Sequence, residues 1–422
     1  MTKNKQKIAV VGAGVAGITA AHVLQREYDV TIFEKNNYLG GHTNTIVIQD
    51  GPDAGVAVDT GFIVLNDETY PTFHRLLQQL GAPVRNSDMS FGFHCEKTGL
   101  QYCGDNLNSI FAQRKNLLNV QHWKMLFDIQ KFGKVGCEQL ENNNIDSLTL
   151  GDFVQKCGFS DSFIENYIAP MGAAIWSTPS KEVMRFPAKT FLEFFKHHGL
   201  LSLKPPQWQT VIGGSHTYIK KFIEQFKGRF NLNHSINKVV RNNNGVTLEL
   251  SNGEKQEFDC AVMASHANET FKILNDPTPD EQRLLGGWRY VKNKVVLHTD
   301  SSVMPSNHRA WASWNYKREY IEDGNNALSM TYYMNRLQGL DSKKKYFVTL
   351  NSHKKIDHKT IIKEIEYTHP LYDFDSVHTQ SELHKLNGIN HTYFCGSYFG
   401  YGFHEDAVKS GLQVANLFGL DL

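Results

Sequence analysis

The stretch "KIAVVGAGVAGITAAHVLQREY", Lys7 to Tyr28, decides the fold. It opens on a continuous, largely β-branched apolar run, the pattern of a strand buried on both faces. That run passes directly into glycines at 12, 14 and 17, and the residues after them are apolar on one side at helical spacing. Strand, glycine turn and helix thus stand in the order that sets a pyrophosphate on a helix N-terminus. Gly12 makes the tight turn, Gly14 lets phosphates approach the backbone, and Gly17 lets the helix pack on the strand. A second strand, "DVTIFE", ends on Glu34, twenty residues after Gly14, where an acid would grip a pair of ribose hydroxyls. The expected fold class is α/β, with a Rossmann-like domain of the GxGxxG type.

The rest of the chain bounds what such a domain can belong to. With 422 residues there is room for an inserted second lobe. Forty-four bases against 43 acids leave no overall field to attract nucleic acid, so none is expected as a partner. Six cysteines without a CxxC pair argue against both a zinc site and a disulfide framework, and point to a reducing, cytoplasmic setting. The first apolar run is short and breaks at glycine, so it reads as a strand and not a signal peptide. No stretch approaches the length of a membrane span; the expectation is a soluble protein or, at most, a peripheral one.

Farther along, "YPTFHRLLQQLG" and "RKNLLNVQHWKMLFDIQKFGKV" read as helices, and residues 66–208 as mainly helical. Phe191, Phe194 and Phe195 share a helical face and Leu200 and Leu201 extend its apolar character. That face would pack in a core, line a tunnel for a long apolar substrate, or touch a membrane. "TVIGGSHTYIKKFIEQF" places a glycine pair before another helix, and "INKVVRNNNGVTLELSNGEKQEFDCAVMASH" alternates as hairpins with Asn-Gly turns before a buried strand. Near the end, "FCGSYFGYGFHEDAVKSG" crowds aromatics and glycines at a helix start. Glycines admit close backbone approach, aromatics wall flat groups and a helix N-terminus favours electron-rich ones, so this reads as the second half of a binding site. No second GxGxxG unit is present to bind a nicotinamide reductant.

After Glu34 come "KNNYLGGHTNT" and "VAVDTGFIVL". With the segments above, they resemble the flavin-containing amine oxidase superfamily, in its FAD-dependent oxidoreductase branch often found beside cyclopropane-fatty-acyl-synthase-like methyltransferases. "PMGAAIWSTP", "AWASWNY" and "GYGFHED" look like that branch's own phrases. The resemblance implies FAD as cofactor. It implies an FAD domain assembled from residues 1–65, 209–270 and 386–422, a mainly helical substrate lobe at 66–208 and a substrate domain with sheet at 271–385. Around the cofactor it places Gly12, Ala13, Gly14, Val15, Ala16 and Gly17, then Glu34 and Lys35, then Gly41, His42 and Thr43. Thr60, Gly61 and Phe62 would pass beside the isoalloxazine, Val239 beside the adenine, and Ala264 at the end of the completing strand. Gly396, Ser397, Gly402, Phe403 and His404 would meet the ribityl chain and pyrimidine edge. Two departures stand out: His42 replaces the usual arginine, and Ser397 the usual acid.

The implied reaction is hydride transfer from an apolar, fatty-acyl-like substrate to flavin, with dioxygen or another acceptor reoxidising it. An amine oxidase, a redox-neutral isomerase and an FAD-binding scaffold for a lipid methyltransferase are the alternatives. His404 and Lys294 are the candidate proton-transfer residues, His404 because a histidine near neutral pKa suits that task. Glu405 and Asp406, in a first helical turn, read as stabilising the helix. Cys395, inside an apolar strand, reads as inert more readily than as a flavin attachment point.

Overall fold

The computed structural model describes residues 5–142, 145–201, 206–320 and 326–422. The apolar runs form a five-stranded parallel sheet: β1 (Lys7–Val11), β2 (Asp29–Glu34), β3 (Arg229–Leu232), β4 (Cys260–Met263) and β5 (Thr392–Phe394), in the order β3-β2-β1-β4-β5. The central strand β1 is buried along Ile8–Val11, as continuous apolar runs require when helices cover both faces of a sheet. Helix α1 (Val15–Leu24) is buried at every residue, and the C-terminal helix α5 (His404–Leu417) packs beside it. Three further helices position the site: α2 (Pro71–Leu80), α3 (Ala188–His197) and α4 (His216–Gln225).

A second, seven-stranded sheet lies beside the first domain. Its order is Ile361–Leu371, Arg289–His298, Phe347–Leu350, Asn326–Tyr333, Trp314–Tyr320, Phe91–Cys95 and Gln101–Cys103. The last two strands come from the segment read as mainly helical. Phe91–Cys95 pairs parallel with Trp314–Tyr320, a partner more than two hundred residues away, so local periodicity could not show the pairing. Helices Val120–Asn142, Leu150–Lys156, Ala169–Trp176 and α3 belong to the same lobe. Phe191, Phe194 and Phe195 are at most 2% exposed, so their shared face is packed in the core and presents nothing to a membrane. Ser202 and Leu203, which follow Leu201, lie outside the described residues, and among those described no helix is long and apolar enough to cross a membrane.

Candidate functional site

The site begins at the loop between β1 and α1. Gly12 turns there at φ +105° against the backbone of Ala264, and Ala264 N–H donates to Val11 O at 2.8 Å. A Cβ on Gly17 would stand 2.1 Å from Gly12 O, so only glycine lets the helix start this close to the strand. Gly14 is different: its backbone is extended, at φ −70° and ψ 173°, and a Cβ built on it meets nothing within 4 Å. It caps α1 without a side-chain acceptor, and the first turn holds no acid. The N–H groups opening α1, at Val15, Ala16 and Gly17, have no intrahelical partners. Open space over uncapped donors is the cradle an anionic pyrophosphate fits.

Glu34 ends β2 with Oε2 accepting from Ala13 N–H at 3.0 Å and Oε1 from Asn36 N–H at 2.9 Å, which fixes the carboxylate against the glycine turn. The Gly40–Gly41 turn joins the same loop through Gly40 N–H to Ala13 O at 2.8 Å. Lys35 points outward and pairs with Glu269. Val239 is buried next to Leu274, on a strand that starts just after His234, whose N–H donates to Glu34 O at 3.1 Å.

Past Gly41 the chain folds back on the segment "DTGF". His42 O accepts from Phe62 N–H at 2.7 Å, and a Cβ on Gly61 would lie 2.1 Å from that oxygen. The His42 ring stacks on Tyr367 and faces His266 and His369. Burial, aided by the neighbouring histidines, holds His42 well below the ordinary imidazole value, and burial pushes His369 down to about 4. In place of the expected arginine there is thus a neutral, stacked ring. Thr60 Oγ1 donates to Asn44 O at 2.9 Å and lies 3.0 Å from the Tyr367 hydroxyl.

Beneath this lies a polar cluster that joins four parts of the chain. Thr43 Oγ1 is 2.5 Å from the Tyr218 hydroxyl and 3.0 Å from His404 Nε2. The His404 ring stacks on Phe62 with centroids 3.6 Å apart. Asp59 accepts from Thr45 Oγ1, from the Ser215 N–H and hydroxyl, and from Gln338 Nε2. Burial pushes its carboxyl up to about 7 against the pull of those Thr45 and Ser215 donors.

The C-terminal half closes the site. Ser397, Gly402 and Phe403 belong to one loop, with Gly402 N–H donating to Ser397 O at 3.2 Å and Phe403 N–H to Asp406 Oδ2 at 3.0 Å. Gly396 N–H donates to Ser410 Oγ on α5. Among the described residues, no hydrogen bond to the Ser397 hydroxyl is formed, and it is partly exposed. Over the loop lies an aromatic wall. Phe194 stacks on Phe403 at 4.7 Å and on His198 at 3.8 Å, with Trp176 at 4.7 Å from Phe194.

Two expectations change. Burial pushes His404 down to about 3, so at neutral pH it is an uncharged hydrogen-bonding ring poorly matched to proton transfer. Lys294 lies on the solvent face of the second sheet, 64% exposed and 2.9 Å from Glu364 across the strand pair, and the fold does not bring it to the cluster. Glu405 is structural in an unexpected way: its carboxylate accepts from Thr72 and Phe73 N–H, capping α2 and not its own helix. Cys395 is fully buried and its thiol is pushed up to about 12. Sequence reasoning missed Tyr218, Tyr367 and the histidines 266 and 369. They come from α4, from the end of β4 and from the second sheet, and no local motif marks them.

A family model for flavin-containing amine oxidoreductases matches residues 15–342. The mouse (Mus musculus) L-amino-acid oxidase is 23% identical over 320 residues, which are 70% of this chain and 48% of that protein; the chain thus spans about half the length of that relative. Two solved structures share the fold. Cyclohexylamine oxidase from Brevibacterium oxydans matches with TM-score 0.70, 15% identity and 98% of each chain covered. A CLA-producing fatty acid isomerase from P. acnes matches with TM-score 0.69, 14% identity, 99% of this chain and 100% of the other.

Proposed function

This chain belongs to the flavin-containing amine oxidoreductases, and from that premise we propose that it is a FAD-dependent oxidoreductase acting on an apolar substrate with an acyl chain. The observation that carries the substrate class is the wall over the Gly400–His404 loop. Trp176, Phe194, His198 and Phe403 pack ring on ring, and burial pushes His198 down to about 4, so the wall carries no charge near neutral pH. Two acids beside it are committed elsewhere, Glu405 to α2 and Asp406 to the Phe403 N–H. Trp176, Phe194 and His198 are closed in the core and the half-buried Tyr401 and Phe403 present the wall's edge, where a hydrocarbon meets apolar rings, whereas a protonated amine away from Glu193 would lose hydration without a counter-charge.

The residues present fit FAD. The open N-terminus of α1 would hold the pyrophosphate, Glu34 the ribose, and the loop from Gly396 to His404 the far end. When bound, FAD supplies the hydride acceptor, and dioxygen or another acceptor restores it. The chain's own part is orientation and exclusion of water. Thr43, Tyr218 and neutral His404 lock the floor by hydrogen bonds, Phe62 stacks on His404, and the α5 N-terminus favours negative charge near the loop.

A second reading, an amine oxidase, is supported by one feature at the edge of the wall: Tyr401 OH lies 3.5 Å from the Glu193 carboxylate, a place where a cation would find an acid. The test is anaerobic titration of the purified holoprotein, following the flavin absorption bands. Bleaching with long-chain fatty acids or their esters, and none with a panel of amines, is the expected result. Bleaching by amines alone would assign the chain to the second reading, and a flavin that neither class reduces would overturn both.

A further inference from the structure

Six of the thirteen exposed large apolar side chains among the described residues fall within 21 residues: Leu107, Leu117, Leu118, Val120, Trp123 and Phe127. Leu118 is 90% exposed, and Leu107 and Val120 are each 75% exposed. Monomeric soluble surfaces rarely gather apolar groups this densely without a partner.

The segment is held as one surface. Arg114 donates to Phe111 O and to Asn108, tying the short helix Leu107–Ile110 to the turn Arg114–Leu118. Trp123 Nε1–H donates to Leu117 O at 2.9 Å, and its ring lies 5.1 Å from Phe111. Val120, Trp123 and Phe127 recur at the spacing of one helix face on Val120–Asn142. From Asn106 to Phe127 the sequence holds no acid and three exposed bases, Arg114, Lys115 and Lys124. The first acid after them, Asp128, is buried and accepts from the Ser160 N–H and hydroxyl.

We propose that this segment is a docking surface for an anionic lipid bilayer, with Leu117, Leu118, Val120, Trp123 and Phe127 entering the headgroup region and Arg114, Lys115 and Lys124 facing its charge. The flanking Asp105 is paired with Arg336, and one exposed acid, Asp161, lies on the neighbouring short helix, whose Ser162 donates to Gln121 O, so bases outnumber free acids here; protruding apolar tips, an indole and such an excess of bases are what an interfacial segment needs. A second copy of the chain fits worse, because a two-fold interface sets the same patch against itself and would oppose three bases with three bases. The patch also has a route to the site. Helix Val120–Asn142 packs through Phe132 on Phe195 of α3, the helix whose Phe194 walls the candidate site. Docking would therefore set the acyl-binding lobe against the phase where acyl chains reside. That purpose rests on the acyl-substrate reading; the surface does not, and it is tested without turnover.

The experiment is sedimentation of the full-length holoprotein with phosphatidylcholine vesicles and with vesicles one third phosphatidylglycerol. Binding to the anionic vesicles about tenfold tighter than to the neutral ones, weakening with salt, is expected. The triple variant Leu118→Ser, Val120→Ser, Phe127→Ser should lose vesicle binding by about a hundredfold while keeping its flavin and melting temperature, since all three side chains are exposed. Lys115→Glu should weaken only the anionic preference, by about fivefold or more. A holoprotein that stays in the supernatant with anionic vesicles, or a triple variant that sediments like the parent, would overturn the proposal. So would a dimer in solution that the same triple variant dissolves, which would assign the patch to a second copy.

Discussion

Replacing Gly14 with alanine should separate cofactor binding from folding. The native backbone there is extended at φ −70°, so alanine brings no dihedral strain, and its methyl would meet no protein atom within 4 Å. The cost to the apoprotein is the poorer cap, below about 1 kcal/mol. The same methyl fills the space over the free N–H groups of α1, and losing one hydrogen bond to a charged phosphate costs about 1.5–3 kcal/mol. FAD affinity should therefore fall by roughly ten- to a hundredfold, at 1.4 kcal/mol per factor of ten. Gly17→Ala is the matched opposite. Its methyl would sit 2.1 Å from Gly12 O and 3.1 Å from the Ala264 methyl, forcing α1 away from β1. Overpacking of this kind costs about 1–3 kcal/mol or more, with or without cofactor. The assay is paired: flavin content and affinity by absorbance, and melting of apoprotein and of FAD-saturated protein. The expected signature is an unchanged apoprotein melt for Gly14→Ala with a smaller FAD-induced rise. Stoichiometric FAD at parental affinity in Gly14→Ala would refute the placement of the pyrophosphate, and with it the reading of the open N-terminus.

Acid should destabilise the protein through imidazoles that the fold holds neutral. His404, held at about 3, and His369, held at about 4, stay neutral in the fold while an unfolded histidine takes up a proton near 6.5. Their contribution is thus present above about pH 6.5 and falls as pH drops below it, by at most about 2 kcal/mol per group between pH 6.5 and 5. Denaturant melts across that range should show it, and His404→Gln should reduce the slope by about one proton. Truncating Glu281 should cost about 3–5 kcal/mol, because Arg241 and Glu281 are each 1% exposed and the guanidinium would be left buried with only the exposed Asp276 as counter-charge; chemical unfolding measures it. Lys294→Met should change stability by less than about 1 kcal/mol and leave flavin reduction by any substrate at parental rate, since its pair with Glu364 is exposed; a large loss in rate would restore it to the site. Acid precipitation of the holoprotein should release all flavin into the supernatant, given the burial of Cys395.

What the sequence made legible were features whose causes lie within a few residues of one another. Continuous apolar runs built β1, β2 and β4 where they were expected, and the spacing of Gly12, Gly14 and Gly17 carried both the tight packing and the open space. The misplacement of Lys294 was also readable. The strand Arg289–His298 alternates, with Asn293 and Val295 buried and Lys292 and Lys294 outward, each facing a glutamate on Ile361–Leu371. A period of two assigns both lysines to solvent. Other features have causes spread across the chain. Glu405 caps a helix more than three hundred residues earlier, and Tyr218 reaches Thr43 from α4. Such contacts depend on how the lobes close, which no window of sequence encodes.

These long-range contacts are also what set the chemistry of the site. A histidine in a loop reads as a proton carrier because its unperturbed value is near neutral. Once Phe62 stacks on it and Thr43 and Tyr218 lie against its Nε2, burial lowers its affinity for a proton, and at neutral pH His404 is held as an uncharged hydrogen-bonding partner. The same holds for His42, His369 and His198. Around the candidate cofactor site the aromatic nitrogens are thus held neutral, and the nearby acids bind backbone N–H groups or hydroxyls. A chain arranged this way contributes position, dryness and the electrostatics of two helix N-termini, and leaves the electron-accepting step to the group it holds.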